Sequence, residues 1–193
     1  MGISVVTAST HDPVTLEELK WQARVDGSDD DSLMRLHIKA AVEYCEEFTG
    51  LKFVTATYDQ TFDTWSNELV LDKPPLSSVT SVKYYDEDGV EQTLSSAVYD
   101  AVTNRQPGMV RLAYDQSWPT HRAQDEPITV QFVAGHGDAA DVPDSLRLAV
   151  LLYASHLHEH REAIAILPPG SIFQELPMAL KDLLRQNRLY EVT

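Results

Sequence analysis

The stretch SLMRLHIKAAVEYCEEFTGLKFVTATYDQTF, residues 32–62, contains the change of period on which the fold turns. In its first part Leu33, Leu36, Ala40, Tyr44 and Phe48 recur at steps of three and four, and Ile38, Ala41, Val42 and Cys45 widen the stripe. That spacing predicts a helix over 32–49 with these residues as a wide buried face, stopped by Gly50 in the left-handed conformation. After Leu51 the apolar spacing falls to two, and Val, Thr, Tyr and Phe dominate. Branched and aromatic side chains fit a pleated, half-buried surface, so the chain changes here from helix to strand.

Toward the N-terminus, Val14-Thr15-Leu16-Glu17-Glu18-Leu19 has the pattern of a helix start. Thr15 can accept from the amide three residues on, Glu18 can reach back, and Val14 can staple onto Leu19, giving a first helix that ends near Val25. Asp29-Asp30-Asp31 then stands where carboxylates cap and complement the positive end of the second helix. Residues 1–10 lack the basic start and long apolar stretch of a signal peptide. The longest apolar run, 148–154, is well short of the roughly 20 residues that span a bilayer. The expectation is a soluble protein, without membrane contact, that is intracellular when made.

Toward the C-terminus, period-two segments broken by Gly, Pro, Asn and Asp predict strands at 53–62, 68–71, 79–85, 90–94, 98–102, 109–113 and 128–133. Asp86-Glu87-Asp88-Gly89 reads as a hairpin loop with Gly89 left-handed, and Pro74-Pro75 as a turn that cannot join a ladder. Helix returns at Val142-Pro143-Asp144. Leu146 and the run 148–154 are apolar nearly all round, so this helix should be enclosed by others at the centre of the core. Pro177 opens a short last helix with Met178, Leu180, Leu183 and Leu184 as its apolar positions, and Lys181, Arg185 and Arg188 toward its negative end.

Composition narrows the function. Thirty acidic against 15 basic residues give a net charge of −15, which repels a phosphate backbone and argues against a protein that wraps nucleic acid. On charge alone the plainer reading is a generic solvated acidic surface that keeps the protein soluble; the alternative is the lining of a passage through which DNA moves without sticking. The single cysteine, Cys45, lies in the helical stripe and reads as a core thiol in a reducing compartment.

His156-Leu157-His158-Glu159-His160 matches the inverted zinc-peptidase pattern, in which two histidines a helical turn apart hold zinc and the glutamate acts as base. A catalytic site needs a third ligand, and Glu162, Glu175, Asp182 and Glu191 have no persuasive spacing for it. The plainer reading is a helix leaving the core with polar residues at its C-terminal end. There is no nucleophile elbow and no phosphate-cradling glycine loop; Ala134-Gly135-His136-Gly137-Asp138 follows a strand and reads as a tight loop. No two carboxylates stand out as an acid–base pair. The expectation is no enzyme, no cofactor and no metal, with His156, Glu159 and His160 as the alternative.

Four segments in order resemble the head–tail connector (adaptor, head-completion) family of long-tailed phages and related gene transfer agents. The first is Val25-Asp26 with Asp29-Asp30-Asp31, Leu33 and Tyr44 to Gly50; the second is Pro74-Pro75-Leu76-Ser77-Ser78-Val79 with Ser81-Val82, Tyr84, Asp86 and Gly89. The third is Val130-Gln131-Phe132-Val133-Ala134-Gly135-His136-Gly137 running into Val142-Pro143 and Leu146. The last is Ala149 to Leu152 with His156 and Glu159-His160-Arg161-Glu162, then Pro177 and Leu183-Leu184.

The resemblance implies an α+β fold. A helical core (two N-terminal helices, a buried central helix near 143–161 and a short C-terminal helix) would occupy 1–50 and 136–193, and an inserted antiparallel β-rich region 51–135. It also implies a structural virion protein that forms a ring, typically dodecameric, between the portal and a stopper or tail-completion protein, with DNA passing through unread. A C-terminal element would dock on the portal. On this sequence Leu180, Leu183, Leu184, Leu189 and Tyr190 would be the anchors, and Arg185 and Arg188 the charge contacts; the alternative is that this helix simply packs on its own core. The alternative within the particle is a stopper or terminator. The resemblance places the chain in the virion neck, after assembly in the host cytoplasm.

Overall fold

A computed structural model describes residues 2–160 and 178–189. Among the described residues four α-helices and eight strands make up the α+β fold expected, and the chain divides into two units. Residues 1–10 and 54–137 form the strand-rich unit; residues 11–53 and 138–193 form the helical one.

In the helical unit α1 (Leu16–Ala23) begins with the expected capping box: the Glu18 amide donates to Thr15 Oγ1 at 3.2 Å, and the Thr15 amide to Glu18 Oε2 at 2.7 Å. Val14 and Leu19 are both buried, as a hydrophobic staple requires. Arg24 takes the left-handed conformation and ends α1 two residues before the expected limit. The acidic stretch does not cap α2 (Asp31–Thr49) through a side chain. Instead Asp31 pairs with Lys20, whose ammonium also donates to the Gly27 carbonyl at 2.7 Å, fixing the corner between the helices.

The buried face of α2 is Met34, Ile38, Ala41, Cys45 and Thr49: Ile38, Ala41 and Cys45 belong to the expected face, but its centre lies about a quarter turn from the row Leu33, Leu36, Ala40, Tyr44 and Phe48. Leu33, Val42, Tyr44 and Phe48 are half-buried, Ala40 is exposed and Leu36 is 60% exposed. Two apolar stripes run along this helix, and the partners choose between them. Met34, the unbranched residue, packs inward, and Thr49 tolerates burial because its hydroxyl donates to the Cys45 carbonyl at 2.7 Å.

α3 (Asp144–Glu159) packs against α1, α2 and α4 (Met178–Gln186) and is the centre of the unit, as expected. Its enclosure is incomplete, because Leu148 is 44% exposed. Arg147 ties α3 to α1: its Nη2 donates to Glu18 Oε1 at 2.6 Å and its Nε to the Pro13 carbonyl at 3.1 Å.

The strand-rich unit has two antiparallel sheets. The larger, in the order β1-β2-β8-β4-β5, comprises β1 (Ile3–Thr7), β2 (Ala56–Phe62), β8 (Ile128–Ala134), β4 (Leu76–Tyr85) and β5 (Glu91–Thr93). The smaller runs β3-β7-β6, with β3 (Glu68–Val70), β7 (Met109–Leu112) and β6 (Tyr99–Val102). Seven of these match the expected strands to within a few residues. β1 was not expected; its short, wholly exposed Ile-Ser-Val-Val-Thr carries no burial signal, and it joins the strands, not the helical core expected to claim residues 1–50.

β2 and β8 alternate buried and half-buried residues along their whole length, so that Ala56, Tyr58, Gln60 and Phe62 lie opposite Ala134, Phe132, Val130 and Ile128 on the core face. Gln60, fully buried, is satisfied by the Asp72 amide, which donates to its Oε1 at 2.9 Å, and by the Val70 carbonyl, which accepts from its Nε2 at 3.2 Å. The Asp86–Gly89 turn forms as expected: Gly89 has φ +82°, and Asp86 Oδ1 accepts from the Asp88 and Val90 amides at 3.1 and 2.9 Å.

After β8 the chain passes close against the backbone of Thr55. Gly135 has φ +126°, and a Cβ there would lie 2.7 Å from the Thr55 backbone. The Gly135 amide donates to the Pro75 carbonyl and the Thr55 amide to the Gly137 carbonyl, each at 2.9 Å. Gly135→Ala therefore combines strain with a backbone collision that no rotamer relieves. We expect it to lower unfolding free energy by about 3 kcal/mol or more in urea titration.

Candidate functional site

Three groups singled out in the sequence can be placed in the helical unit. The first is the histidine segment at the end of α3. His156 and His160 share a face, with ring centroids 4.4 Å apart, and both the amide and Nδ1 of His160 approach the His156 carbonyl, at 3.0 and 3.2 Å. The middle histidine faces the other way: His158 is buried and meets His37 of α2 edge to face at 5.8 Å. Among the described residues no group of three or more potential ligands gathers; Glu162, Glu175 and Glu191, three of the four candidate third ligands, lie outside them. Sequence spacing could not reveal the His37–His158 contact, since it joins two helices.

Burial pushes the His156 imidazole below the usual histidine range, the His160 charge adds to this, and Glu159 opposes it. His136, in the strand-rich unit, is lowered by burial alone.

The second group is Cys45, buried with its thiol pushed up to about 12, chiefly by burial and secondarily by Glu46. It is a protonated core thiol and not a nucleophile.

The third group is α4 and the residues after it. Leu180 and Leu184 are buried in the helical unit, whereas Leu183 is half-buried and Arg185 exposed, with Arg185 Nη1 4.0 Å from Asp182. Arg188 lies over the Phe48 ring at 5.3 Å, and the Leu189 amide donates to the Thr49 carbonyl at 3.0 Å. Asn187 fastens the helix end by donating to Ser145 Oγ at 3.1 Å. Two of the expected docking anchors thus hold α4 to its own unit, while Leu183, Arg185 and Leu189 retain exposed surface. Tyr190 lies outside the described residues, as do Arg161, Glu162, Glu175, Pro177 and Glu191.

The Ala134–Asp138 segment is the tight loop expected: the Gly135 amide is spent on a backbone carbonyl and cannot cradle a phosphate. No helix among the described residues is long and apolar enough to cross a membrane.

The fold is thus a helical unit built around one central helix, with a strand segment inserted between its second and third helices. The Head completion protein family model matches residues 14–163, and the chain belongs to that family, the one its sequence resembles. No curated protein matches it.

Solved structures share the fold over the full length. A chain from the virion of a native gene transfer agent particle aligns with TM-score 0.80 at 21% identity, covering 100% of this chain and 98% of that one. One from the neck of the empty particle, computed with C6 symmetry, gives 0.81 at 21%, and one from the neck of the native particle, computed with C12 symmetry, gives 0.79 at 19%, with the same coverage.

The lowered histidines carry a pH dependence of definite sign. Each binds its proton less readily in the folded chain, so its contribution to stability is full above the ordinary value of 6.5 and is lost as pH falls below that through the lowered folded value. Melting temperature should drop between about pH 7.5 and 5, with the slope reduced in His156→Gln and in His136→Gln. A thiol-reactive disulfide should label Cys45 in denaturant and leave it unlabelled in the native protein.

Proposed function

We propose that this chain is a structural subunit of a particle neck, a head–tail connector that closes with copies of itself into a ring between the portal and a stopper or tail-completion protein. The observation that carries the reading is membership of the Head completion protein family, supported by a fold shared end to end with chains of gene transfer agent particles. A dodecamer is the natural count, since one such neck was computed with C12 symmetry. Neighbours in a ring meet head to tail, so each subunit presents two different surfaces and closure depends only on the rotation between them.

The work is mechanical and needs no cofactor or metal. A net charge of −15 suits subunits around a DNA passage, because it discourages phosphate contacts that would arrest the duplex. The protein is assembled in the host cytoplasm and ends in the virion. A stopper or terminator of the same neck is the second reading, favoured by the breadth of the family description.

Portal docking falls to the accessible side of α4, through Leu183, Arg185, Arg188 and Leu189, with Tyr190 continuing the segment. Leu180 and Leu184 serve the subunit's own core, so removing the whole segment would damage the fold along with any docking. Leu183→Asp combined with Arg185→Glu is the cleaner test: the melting temperature should change little, while portal-bearing heads no longer retain the subunit. Retention at the wild-type level rules out docking through α4. A cryo-electron reconstruction of the neck fixes position and copy number, and a site other than the portal face favours the stopper or terminator reading.

A further inference from the structure

The outer face of α2 has no partner among the described residues, and its charges have an unusual order. Arg35, Lys39, Glu43 and Glu47 are all exposed and follow one another at steps of four, two cations and then two carboxylates. None makes an ion pair or side-chain hydrogen bond, although Lys39 and Glu43 stand one turn apart. Beside this ridge runs a second one with the same step, in which Leu36 is 60% exposed and is flanked by Ser32 and Ala40, both small and exposed. Glu47 stands in the last turn, where the macrodipole favours cations and this helix carries none. The cations near this helix end are engaged elsewhere, Lys52 with Glu46 and Arg188 over the Phe48 ring, and leave Glu47 for a partner outside the subunit.

The charge order identifies that partner, because reversing the helix turns the pattern into its own complement. With a second α2 laid antiparallel, Arg35 faces Glu47 of the copy and Lys39 faces Glu43, and symmetry repeats both contacts. Ridges four residues apart interdigitate in the commonest class of helix packing, at about −50°, which sets charged ridge beside charged ridge. Small side chains around Leu36 let the backbones approach.

We infer that the outer face of α2 is a self-complementary surface on which a second copy of this chain seats antiparallel, forming a weak twofold dimer. One helix against another buries less than the roughly 1,200 Å² of the smallest stable complexes, so the pair forms only in concentrated solution. It closes on itself, unlike a head-to-tail ring contact, and does not depend on the ring reading.

Sedimentation of the full chain tests it. Wild-type protein should shift from monomer toward dimer on approaching the order of 100 μM, less so at high salt. R35E/K39E and E43K/E47K should each weaken the dimer by about tenfold or more. A 1:1 mixture of the two should recover dimer at the wild-type level, as should the quadruple exchange. The E43K/E47K variant is decisive, since it brings the chain closer to neutrality and suits the helix dipole better; general repulsion predicts stronger association, and α2 pairing predicts weaker. A monomeric wild type at that concentration overturns the inference. So does a dimer that E43K/E47K strengthens, or a mixture that fails to pair.

Discussion

The antiparallel pairing of β2 with β8 is the constraint on which the rest of the chain depends. It runs without a break from Ala56 opposite Ala134 to Phe62 opposite Ile128. Residues 66 to 78 positions apart are thereby neighbours, and the two ends of the strand segment meet. A long insertion can interrupt a helical protein only if it returns the chain near where it left. Tyr58 over Phe132, with ring centroids 5.8 Å apart, adds a cross-strand aromatic contact to that closure. The glycine passage at Gly135 completes it, because only a residue without Cβ lets the outgoing strand cross Thr55 so closely.

The helical unit is organised by a different economy. α3 contacts each of the other three helices, and the polar links around it are few and specific: Arg147 to Glu18 and the Pro13 carbonyl, Asn187 to Ser145. These fix directions, while the apolar face supplies the bulk of the stabilisation. α4 spends Leu180 and Leu184 on this core and keeps Leu183 and Arg185 at the surface. A terminal helix of this kind can hold its own subunit together and still offer a second face.

The single cysteine, Cys45, is buried in the helical unit, and the surface of the protein is governed by charge. Its acidic balance, twice as many carboxylates as cations, means that contact between like subunits depends on where the few unpaired cations lie. Arg35 and Lys39 are two of these, and their order with Glu43 and Glu47 gives α2 a face that matches its own reverse.

Local chemistry was legible in the sequence because its causes are local. The capping box at Thr15 and Glu18, the stop at Gly50, the turn at Gly89 and seven of the eight strands follow from spacing and backbone preference alone. The family was legible too, since its segments keep their order along the chain. Tertiary structure decided what depends on partners distant in sequence. It chose Met34 over Leu36 for the core, because two stripes compete on α2 and only the neighbouring helices select one. It added β1, whose exposed residues carry no burial pattern and whose place is set by backbone bonds to β2. It turned His158 inward against His37 and sank Leu180 and Leu184 into the helical core, since which face of a short helix is buried is decided by what lies beside it.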